Sequence, residues 1–544
     1  MSAKSTAVAV VSLLLLLAPA AAGGEARQAP LFDDLGRHHH AITTKSAEAQ
    51  RYFDQGLILV YGFNHAEAVR SFREAARLDP DAAMPHWGIA LALGPNINAP
   101  MSDEAVPQAY AAVRRAVELA DGASDRERDY IRALEKRYSA EPVKDRSALD
   151  RAYADAMRQV AGRHPDDPDA ATLMAEALMD TMPWDYWTPE GKPRPGTQEA
   201  LDALEAVLRR HPDHPGANHY LIHLVEASPN PERGLAAAHR LADLAPGAGH
   251  LVHMPSHIYL RLGLYHEASQ ANERAIRADE SYLTQCRRQG FYPALYYSHN
   301  MHFLSHTTAV EGRSADALAA AGKTAEHLKH HDLSKMPFMQ WMRATPLMVR
   351  VRFGRWDDIL AEPAPAEGAL FEQAMWRYAR GRAFVGKRDA DKAAAESKAL
   401  SEIASSREAE TLQVRDLPGA SIVRLADQVM AAESAGLRGD TEGRLRGLRD
   451  AVAAEDALPY MEPPFWEQPV RQLLGSALLE AGRPAEAEAV YREDLRRHPR
   501  TGWSLFGLLE SLRRQGRTAE AAEVQDRLRR AWTHADVVLT GSTF

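Results

Sequence analysis

Histidines recur in the middle of the chain at a spacing that suits a metal site. They form three groups: His219 and His223; His250, His253 and His257; and His299, His302 and His306. Partners four residues apart leave the same face of an α-helix, with Cβ atoms about 5 to 6 Å apart. Imidazole nitrogens on one face can share an ion. The spacing therefore predicts a metal site built from helices.

A shift of 34 residues relates the first two groups, because it turns His219 and His223 into His253 and His257. A fixed period of this length indicates stacked helical units that present the same face. Neighbouring helices pack about 8 to 10 Å apart, so imidazoles of successive units can converge on one ion at about 2.0 to 2.1 Å. Two neighbouring pairs supply four nitrogens, and the third group leaves donors for a second ion or an open catalytic position.

We call these eight histidines the histidine ladder. No cysteine lies among them at the repeat positions, so copper, zinc, iron and nickel all suit the nitrogen donors. Spacing does not choose among them, and copper is our preferred ion over zinc or iron. Carboxylates join imidazoles in many mixed sites. Glu176, with Asp180 and Glu226 nearby, is therefore a candidate ligand or general base. The sequence has no His-Glu-x-x-His motif, Gly-x-Ser-x-Gly elbow or phosphate-binding glycine loop, which argues against those reaction classes.

The elements that carry the histidines follow a helical repeat. The clearest unit starts at Ala49, with Tyr52, Gly56, Ala68, Phe72, Ala75 and Pro80 at characteristic positions. These residues match the tetratricopeptide signature, in which small residues let paired helices approach closely. Further units start at about Ala83, Pro168, Pro215, Gly249 and Ser298. The pattern predicts an all-α, right-handed α-solenoid of roughly ten tetratricopeptide helix pairs.

Residues 39–101, which include Phe63-Asn-His-Ala-Glu-Ala and Trp87-Gly-Ile-Ala-Leu-Ala, resemble a group of exported bacterial tetratricopeptide-repeat proteins. The family resemblance implies that the first helix of each unit lines a concave groove, with positions two, five and nine facing inward. Eight of these nine positions in the three histidine units are histidine, and Gly216 is the exception. The resemblance thus implies a histidine-lined groove, and it implies no activity.

We expect five segments along the chain. Residues 1–22 read as a signal peptide, because Lys4 precedes an apolar run that ends in small residues. Residues 23–48 form an N-terminal arm whose histidines, His38 to His40, are possible extra ligands. Residues 49–361 form an N-terminal solenoid with the histidine-lined groove, residues 369–533 form a C-terminal solenoid, and residues 534–544 form a tail.

Composition restricts partners and location. The formal net charge is -9, which argues against nucleic acid as a partner. The apolar run near the start is too short to span a bilayer comfortably, so we expect a soluble protein that is periplasmic or secreted. Cys286 is the only cysteine, so no disulfide can form within one chain.

Two functions fit these observations. The first is an exported solenoid whose groove binds a transition metal, either as an enzyme that acts on a small molecule or as a metal carrier. The alternative is a scaffold that binds peptides or proteins without metal. The family resemblance supports the alternative, because the inward positions of peptide-binding members grip a terminal carboxylate, and protonated histidines can do so at low pH.

Overall fold

A computed structural model describes residues 29–286, 292–331, 333, 339–414 and 417–544. The predicted signal peptide lies outside these ranges. Within the described residues the chain is almost entirely helical. In this part of the chain, no helix is both long enough and apolar enough to cross a membrane.

Fifteen α-helices lie in the first part of the chain: α1 (Ala47–Tyr61), α2 (His65–Leu78), α3 (Met84–Leu93), α4 (Val106–Glu118), α5 (Asp125–Glu135), α6 (Ser147–Arg163), α7 (Pro168–Asp180), α8 (Thr197–Arg210), α9 (Pro215–Glu226), α10 (Leu235–Leu244), α11 (Gly249–His253), α12 (Pro255–Arg261), α13 (Tyr265–Cys286), α14 (Ser298–Glu311) and α15 (Ser314–Leu328). Short 3₁₀ turns lie at Ala120–Gly122 and Pro231–Gly234, and a π-helical turn at Pro293–Tyr297 leads into α14.

The second part contains α16 (Gln340–Arg352), α17 (Trp356–Ala361), α18 (Leu370–Gly386), α19 (Ala390–Ala404), α20 (Arg407–Glu410), α21 (Gly419–Leu437), α22 (Thr441–Asp456), α23 (Val470–Glu480), α24 (Pro484–Arg497), α25 (Gly502–Arg514) and α26 (Thr518–Ala531). Two short strands, β1 (Gln413–Val414) and β2 (Leu417–Pro418), pair in antiparallel register between α20 and α21. Most helices pack on the next in chain order, which is the arrangement of a solenoid. The predicted all-α solenoid is confirmed.

Close packing within the first units depends on glycine. Gly56 and Gly88 lie on either side of the Phe72 ring, and a Cβ atom added at either glycine would lie 2.6 Å from a carbon of that ring. Phe72 itself is fully buried between the helices. Small residues at these two points are therefore needed for the helices to approach this aromatic ring.

Two large apolar clusters stabilise the chain. One extends from Leu35 to Tyr296 and the other from Leu328 to Val524, with smaller clusters between them. The proposed boundary at residues 362–368 stays a prediction. Trp503 joins the two parts, since its indole Nε1 donates to the Ala309 carbonyl at 3.1 Å.

The second part of the solenoid packs against the histidine helices of the first. Residues 457–469, between α22 and α23, bring Glu462 and Glu467 within hydrogen-bonding distance of α12 and α14. The segment after α26 also returns to the first part, because Asp536 accepts from the Ser314 and Ala315 amides at 2.7 and 2.9 Å. The predicted groove is therefore covered where the histidines lie.

Candidate metal centre

Helix α9 places two histidines and one glutamate on a single buried face. His219, His223 and Glu226 lie at i, i+4 and i+7, which is the repeat of one helix face. The helix starts at Pro215, and the His214 side chain caps it by accepting from the Ala217 amide. All three side chains are buried.

The next histidines lie on two short helices with a break between them. His250 and His253 belong to α11, and His257 belongs to α12. The break falls at Pro255, which has no amide hydrogen to continue the hydrogen-bond ladder. The break leaves His253 and His257 facing each other, with their Nε2 atoms 2.9 Å apart.

Six histidines form two groups of three. The first triad is His219, His223 and His250, and the second triad is His253, His257 and His299. Within each triad, one ring nitrogen of each residue lies within 4.8 Å of the other two. The Nε2 atoms of His219 and His250 are 3.1 Å apart in the first triad. The predicted convergence of imidazoles from successive units is thus present in the geometry.

Hydrogen bonds at Nδ1 turn several Nε2 atoms inward. His219 Nδ1 donates to the Tyr61 carbonyl at 2.6 Å, and His223 Nδ1 lies 3.2 Å from a Glu226 oxygen. His253 Nδ1 donates to Asn272 Oδ1 at 2.7 Å. Because Asn272 Nδ2 donates to the Ala268 carbonyl, the amide oxygen must face the ring. Acceptors of this kind orient metal-ligating histidines in proteins.

The second triad contains an unfavourable pair of nitrogens unless a cation lies between them. His257 Nδ1 is 3.0 Å from a Glu226 oxygen and 2.9 Å from a Glu462 oxygen, so this nitrogen carries a hydrogen. His253 Nδ1 carries one for the reason given above. In two neutral rings, both Nε2 atoms would then present lone pairs to each other at 2.9 Å. Either a proton or a metal ion must occupy this contact.

Burial sets the protonation of most of these rings. Burial, together with neighbouring histidines, lowers the pKa of His219, His250, His253 and His299 well below the usual value. These rings are neutral at pH 7, which is the state that binds metal. His257 differs: burial would lower its pKa, but the Glu226 and Glu462 carboxylates raise it to about 10.

One phenylalanine packs against each triad. The Phe63 ring centroid lies 4.7 Å from that of His219 and 5.3 Å from that of His250. The Phe303 centroid lies 5.1 Å from that of His253 and 5.0 Å from that of His257. These apolar rings exclude water from both groups and lower the local dielectric.

The last two histidines of the ladder bind a carboxylate instead. His302 Nε2 lies 3.2 Å from one Glu467 oxygen, and His306 Nδ1 lies 2.9 Å from the other. Glu467 reaches them from the segment between α22 and α23. His302 and His306 therefore belong to neither triad in this structure, although they occupy the same repeat positions as the other histidines.

Glu176 lies apart from the triads. It is buried beside Asp180 and Arg137, and Asp180 forms an ion pair with the Arg137 guanidinium. Burial and the neighbouring Asp180 raise the pKa of Glu176 well above its usual range. The Glu176 carboxyl therefore lies in a buried polar cluster and does not contact the triads. Glu226, the other predicted carboxylate, does contact them.

The arm histidines contact acidic residues elsewhere. His38 Nε2 and His40 Nδ1 lie 3.0 and 2.8 Å from the two oxygens of the buried Asp169. His39 contacts Asp54. None of the three reaches either triad. They attach the arm to α1 and α7 and supply no extra ligand to the ladder.

Sequence reasoning missed the groups that surround the triads. Phe63 and Phe303 fill apolar positions like many others, and Tyr61 acts through its backbone carbonyl, so no side-chain pattern marks them. Glu462 and Glu467 lie more than 150 residues from the histidines that they contact. The proline-rich stretch around Glu462 indicates a loop, but spacing alone does not show where that loop packs.

Two partly exposed aromatic residues mark the edge of the centre. Trp184, on the loop after α7, is 42% exposed, and its ring contacts the His223 ring edge-on at 5.3 Å. Tyr460 is 40% exposed and donates to a Glu462 oxygen at 2.5 Å. By contrast, seven of the eight ladder histidines are at most 5% exposed, and His299 is half-buried. The histidines line a closed interior, where an open groove was expected.

Comparison with known families identifies part of the chain. The tetratricopeptide-repeat family matches residues 473–536, which include most of α23 and all of α24 to α26. These helices are tetratricopeptide repeats. In this region Gly475 and Gly507 lie against the Tyr491 ring, as Gly56 and Gly88 lie against Phe72. Comparison with curated proteins gives no match.

Several solved structures are similar to the chain at low identity. The human IFIT1 dimer with m7Gppp-AAAA is 12% identical, with 90% of this chain and 91% of that chain covered and a TM-score of 0.33. Yeast Tom70 is 12% identical, with 89% and 91% covered and a TM-score of 0.28. The APC/C hetero-tetramer Cut9-Hcn1 is 14% identical, with 89% and 76% covered and a TM-score of 0.32. At these TM-scores we infer nothing about ligands from the similarity.

Proposed function

We propose that the protein binds a transition metal, with copper preferred, through the histidines of the two triads. The convergence of three imidazole nitrogens in each triad, all within 4.8 Å of one another, carries this proposal. Both Nδ1 atoms of His253 and His257 have hydrogen-bond acceptors, so a cation must lie between their Nε2 atoms. The raised pKa of His257 supplies a proton for this contact in the absence of metal, and a bound metal ion would replace that proton.

The spacing of the nitrogens supports a metal ion. Ligands about 2.0 to 2.1 Å from an ion are themselves about 2.8 to 3.4 Å apart, depending on whether the angle is square or tetrahedral. The Nε2 pairs of the two triads, at 2.9 and 3.1 Å, fall in this interval. An ion would therefore fit between either pair without moving it, and the third nitrogen of each triad lies within 4.8 Å of that pair.

The donor set supports copper. Each triad offers only imidazole nitrogens, without thiolate or carboxylate, and copper forms the most stable complexes with such donors among the divalent first-row ions. The burial of the ligands favours an ion that stays bound over cargo that exchanges freely. We therefore favour a resident centre that acts on a small molecule over a carrier, and we infer no peptide ligand at these buried histidines.

We also propose that the protein is exported, to the periplasm or beyond the cell. The support is the amino-terminal apolar run with small residues behind it, and the resemblance of residues 39–101 to exported bacterial proteins. N-terminal sequencing of the protein recovered from outside the cytoplasm should start after residue 22. An unprocessed chain that stays in the cytoplasm would contradict export.

Metal analysis of two double variants tests the metal proposal. The untagged protein is loaded with copper, desalted and measured by mass spectrometry of its metal content. We expect His253→Ala with His257→Ala to lose the copper that the second triad binds, and so to hold less copper than the wild type. His302→Ala with His306→Ala is a matched control, because it also removes a buried pair four residues apart, and it should keep copper.

Circular dichroism shows whether each variant is folded. If a double variant unfolds, His250→Gln tests the first triad, and the partly buried surface pair His327→Ala with His331→Ala replaces the control. A lower copper content in a folded triad variant than in the folded control supports the proposal. A wild-type protein that binds no metal, or equal copper in all variants, overturns it.

A further inference from the structure

The two triads have the same construction. Each contains three imidazoles with converging nitrogens, and each packs against its own phenylalanine. In each, two rings are oriented by acceptors at Nδ1. Three imidazoles with an open position are the ligand set of a complete metal site. Neither triad needs the other to bind an ion.

We propose that the triads bind one ion each and form a binuclear centre that takes up a small bridging anion. This inference rests on the proposed metal binding and adds the number of ions and the class of ligand.

The triads are close enough to act together. The ring centroids of His250 and His253, one from each triad, are 6.0 Å apart, and those of His223 and His257 are 6.1 Å apart. Within the triads, neighbouring rings are separated by 4.7 to 5.9 Å. The six rings thus form one continuous cluster. Because an ion lies about 2 Å from its ligand nitrogens, one small anion can contact two ions held in this cluster.

Glu226 connects the two triads directly. One of its oxygens lies 3.2 Å from His223 Nδ1, in the first triad, and the other lies 3.0 Å from His257 Nδ1, in the second. Its side chain has no exposed surface. One buried carboxylate therefore orients one ring of each triad. Carboxylates that hydrogen-bond to metal-ligating histidines have this role in metal centres.

Charge balance identifies the bridging ligand as an anion. Two divalent ions bring four positive charges, and the six imidazoles bring none when each binds an ion through an unprotonated nitrogen. Glu226 and Glu462 supply two negative charges, while the half-buried Arg261 lies beside them and adds a positive one. Glu467 offsets the buried Arg352. At least two positive charges would then remain uncompensated in a buried site. A bound anion such as hydroxide would reduce this excess charge.

Two unpartnered nitrogens lie in the same cluster. His223 Nε2 and His250 Nδ1 are buried and have no hydrogen-bond partner among the described residues. Buried polar atoms of this kind are normally satisfied by protein, water or an ion. Ions and a bridging anion would occupy the volume that these atoms face.

Copper titration with spin counting tests the inference on the full chain. Metal-free protein is titrated with Cu(II), bound copper is counted after desalting, and the paramagnetic signal is integrated before and after azide is added as the probe anion. We expect two copper ions per chain and an integrated signal that falls to less than half of the bound copper with azide, because bridged Cu(II) ions couple. His219→Gln and His299→Gln should each bind one ion and keep full signal, whereas His302→Gln should bind two.

The outcomes separate the two proposals. One ion per chain, with full signal, overturns the binuclear inference and leaves metal binding intact. If two ions bind and azide leaves their paramagnetic signal unchanged, the two sites are independent. That result overturns the inference of a shared bridging anion. No bound copper overturns both proposals.

Discussion

At the scale of single residues, the protein partner of one ring nitrogen decides what the other can do. His253 and His302 are buried histidines at equivalent repeat positions. The Nδ1 atom of His253 donates to an amide oxygen, which leaves Nε2 for an ion, whereas Nε2 of His302 contacts the Glu467 carboxylate. The same residue type therefore serves a candidate ligand site in one unit and a contact with a carboxylate in the next.

Removing the charge of Glu226 should weaken metal binding. We expect Glu226→Gln to lower copper affinity by about 10- to 100-fold, because it removes the negative charge and leaves one acceptor oxygen for two rings, one in each triad. Competition with a copper chelator measures the change. Glu311→Gln is the matched control, since Glu311 is also buried and also contacts a histidine Nδ1, that of His266, outside both triads. Equal affinity in the two variants would contradict the role of Glu226.

The sequence predicts much of this chemistry and misses part of it. Spacing of four and a shift of 34 residues predict which histidines share a face, and six of the eight converge in the structure. The same spacing predicts His302 and His306 equally well. Their carboxylate partner comes from a segment about 160 residues away, and no local pattern encodes that contact. Glu176 was a candidate because carboxylates join imidazoles in mixed sites, but Arg137 and Asp180 are its neighbours.

At the scale of helices, glycine controls how closely neighbours pack. A Cβ atom at Gly56 would lie 2.6 Å from the buried Phe72 ring, so we expect Gly56→Ala to lower the free energy of unfolding by about 1 to 3 kcal/mol. Gly322 lies in α15 with no atom within 4 Å of an added Cβ. Gly322→Ala should stabilise the helix by about 0.5 to 1 kcal/mol. Urea unfolding of both variants measures the two changes in the free energy of unfolding, which should have opposite signs. Two changes of the same sign would contradict the packing explanation.

An ion pair between the buried Asp494 and the half-buried His498 makes the stability of the last helices depend on pH. Asp494 on α24 contacts His498 at 3.0 Å and also accepts from Ser504 on α25. Burial would raise the pKa of Asp494, but His498 and its hydrogen bonds lower it, while Asp494 raises the pKa of His498 despite burial. The pair therefore stabilises most between the ordinary values of 3.8 and 6.5.

Thermal unfolding across pH tests that pair. We expect Asp494→Asn to lower the melting temperature most between about pH 4 and 6.5. The difference should shrink below this window as the Asp494 carboxylate is protonated, and above it as His498 loses its proton through its raised pKa. Asp526→Asn, in an exposed pair with Arg529, is the control. A difference that is constant with pH would contradict the ion-pair explanation.

Helix boundaries show where the sequence was sufficient. The unit beginning at Pro215 starts there in the structure, because proline fits the first turn and His214 caps it. In the next unit the same type of residue acts differently, since Pro255 divides the expected helix into α11 and α12. The periodicity of the histidines survives the break because the backbone keeps helical angles at Met254.

At the scale of the whole molecule, contacts between distant segments bury the histidines. Glu467 connects the segment before α23 to α14, and Trp503 and Asp536 add contacts to α14 and α15. A repeat protein in which each unit touched only its neighbours would leave the groove open. Here the second part of the solenoid covers it, and repeat periodicity contains no information about that return.

Breaking this contact should destabilise the chain as a whole. We expect Glu467→Gln to lower the free energy of unfolding by about 3 to 5 kcal/mol, because one partner of a buried charge network is lost. Glu510→Gln removes an exposed pair with Arg513 and should change it by less than about 1 kcal/mol. Chemical denaturation measures both variants. A similar small change in the two would show that Glu467 does not hold the parts together.

Anomalous diffraction at the copper absorption edge, from crystals of the copper-loaded protein, tests the central claim most directly. It locates each ion without reference to activity. We predict anomalous peaks about 2 Å from Nε2 of His253 and His257 in the second triad, and a further peak among His219, His223 and His250 in the first. Peaks only at the arm histidines, at the pair bound by Glu467 or at surface positions would contradict the claim.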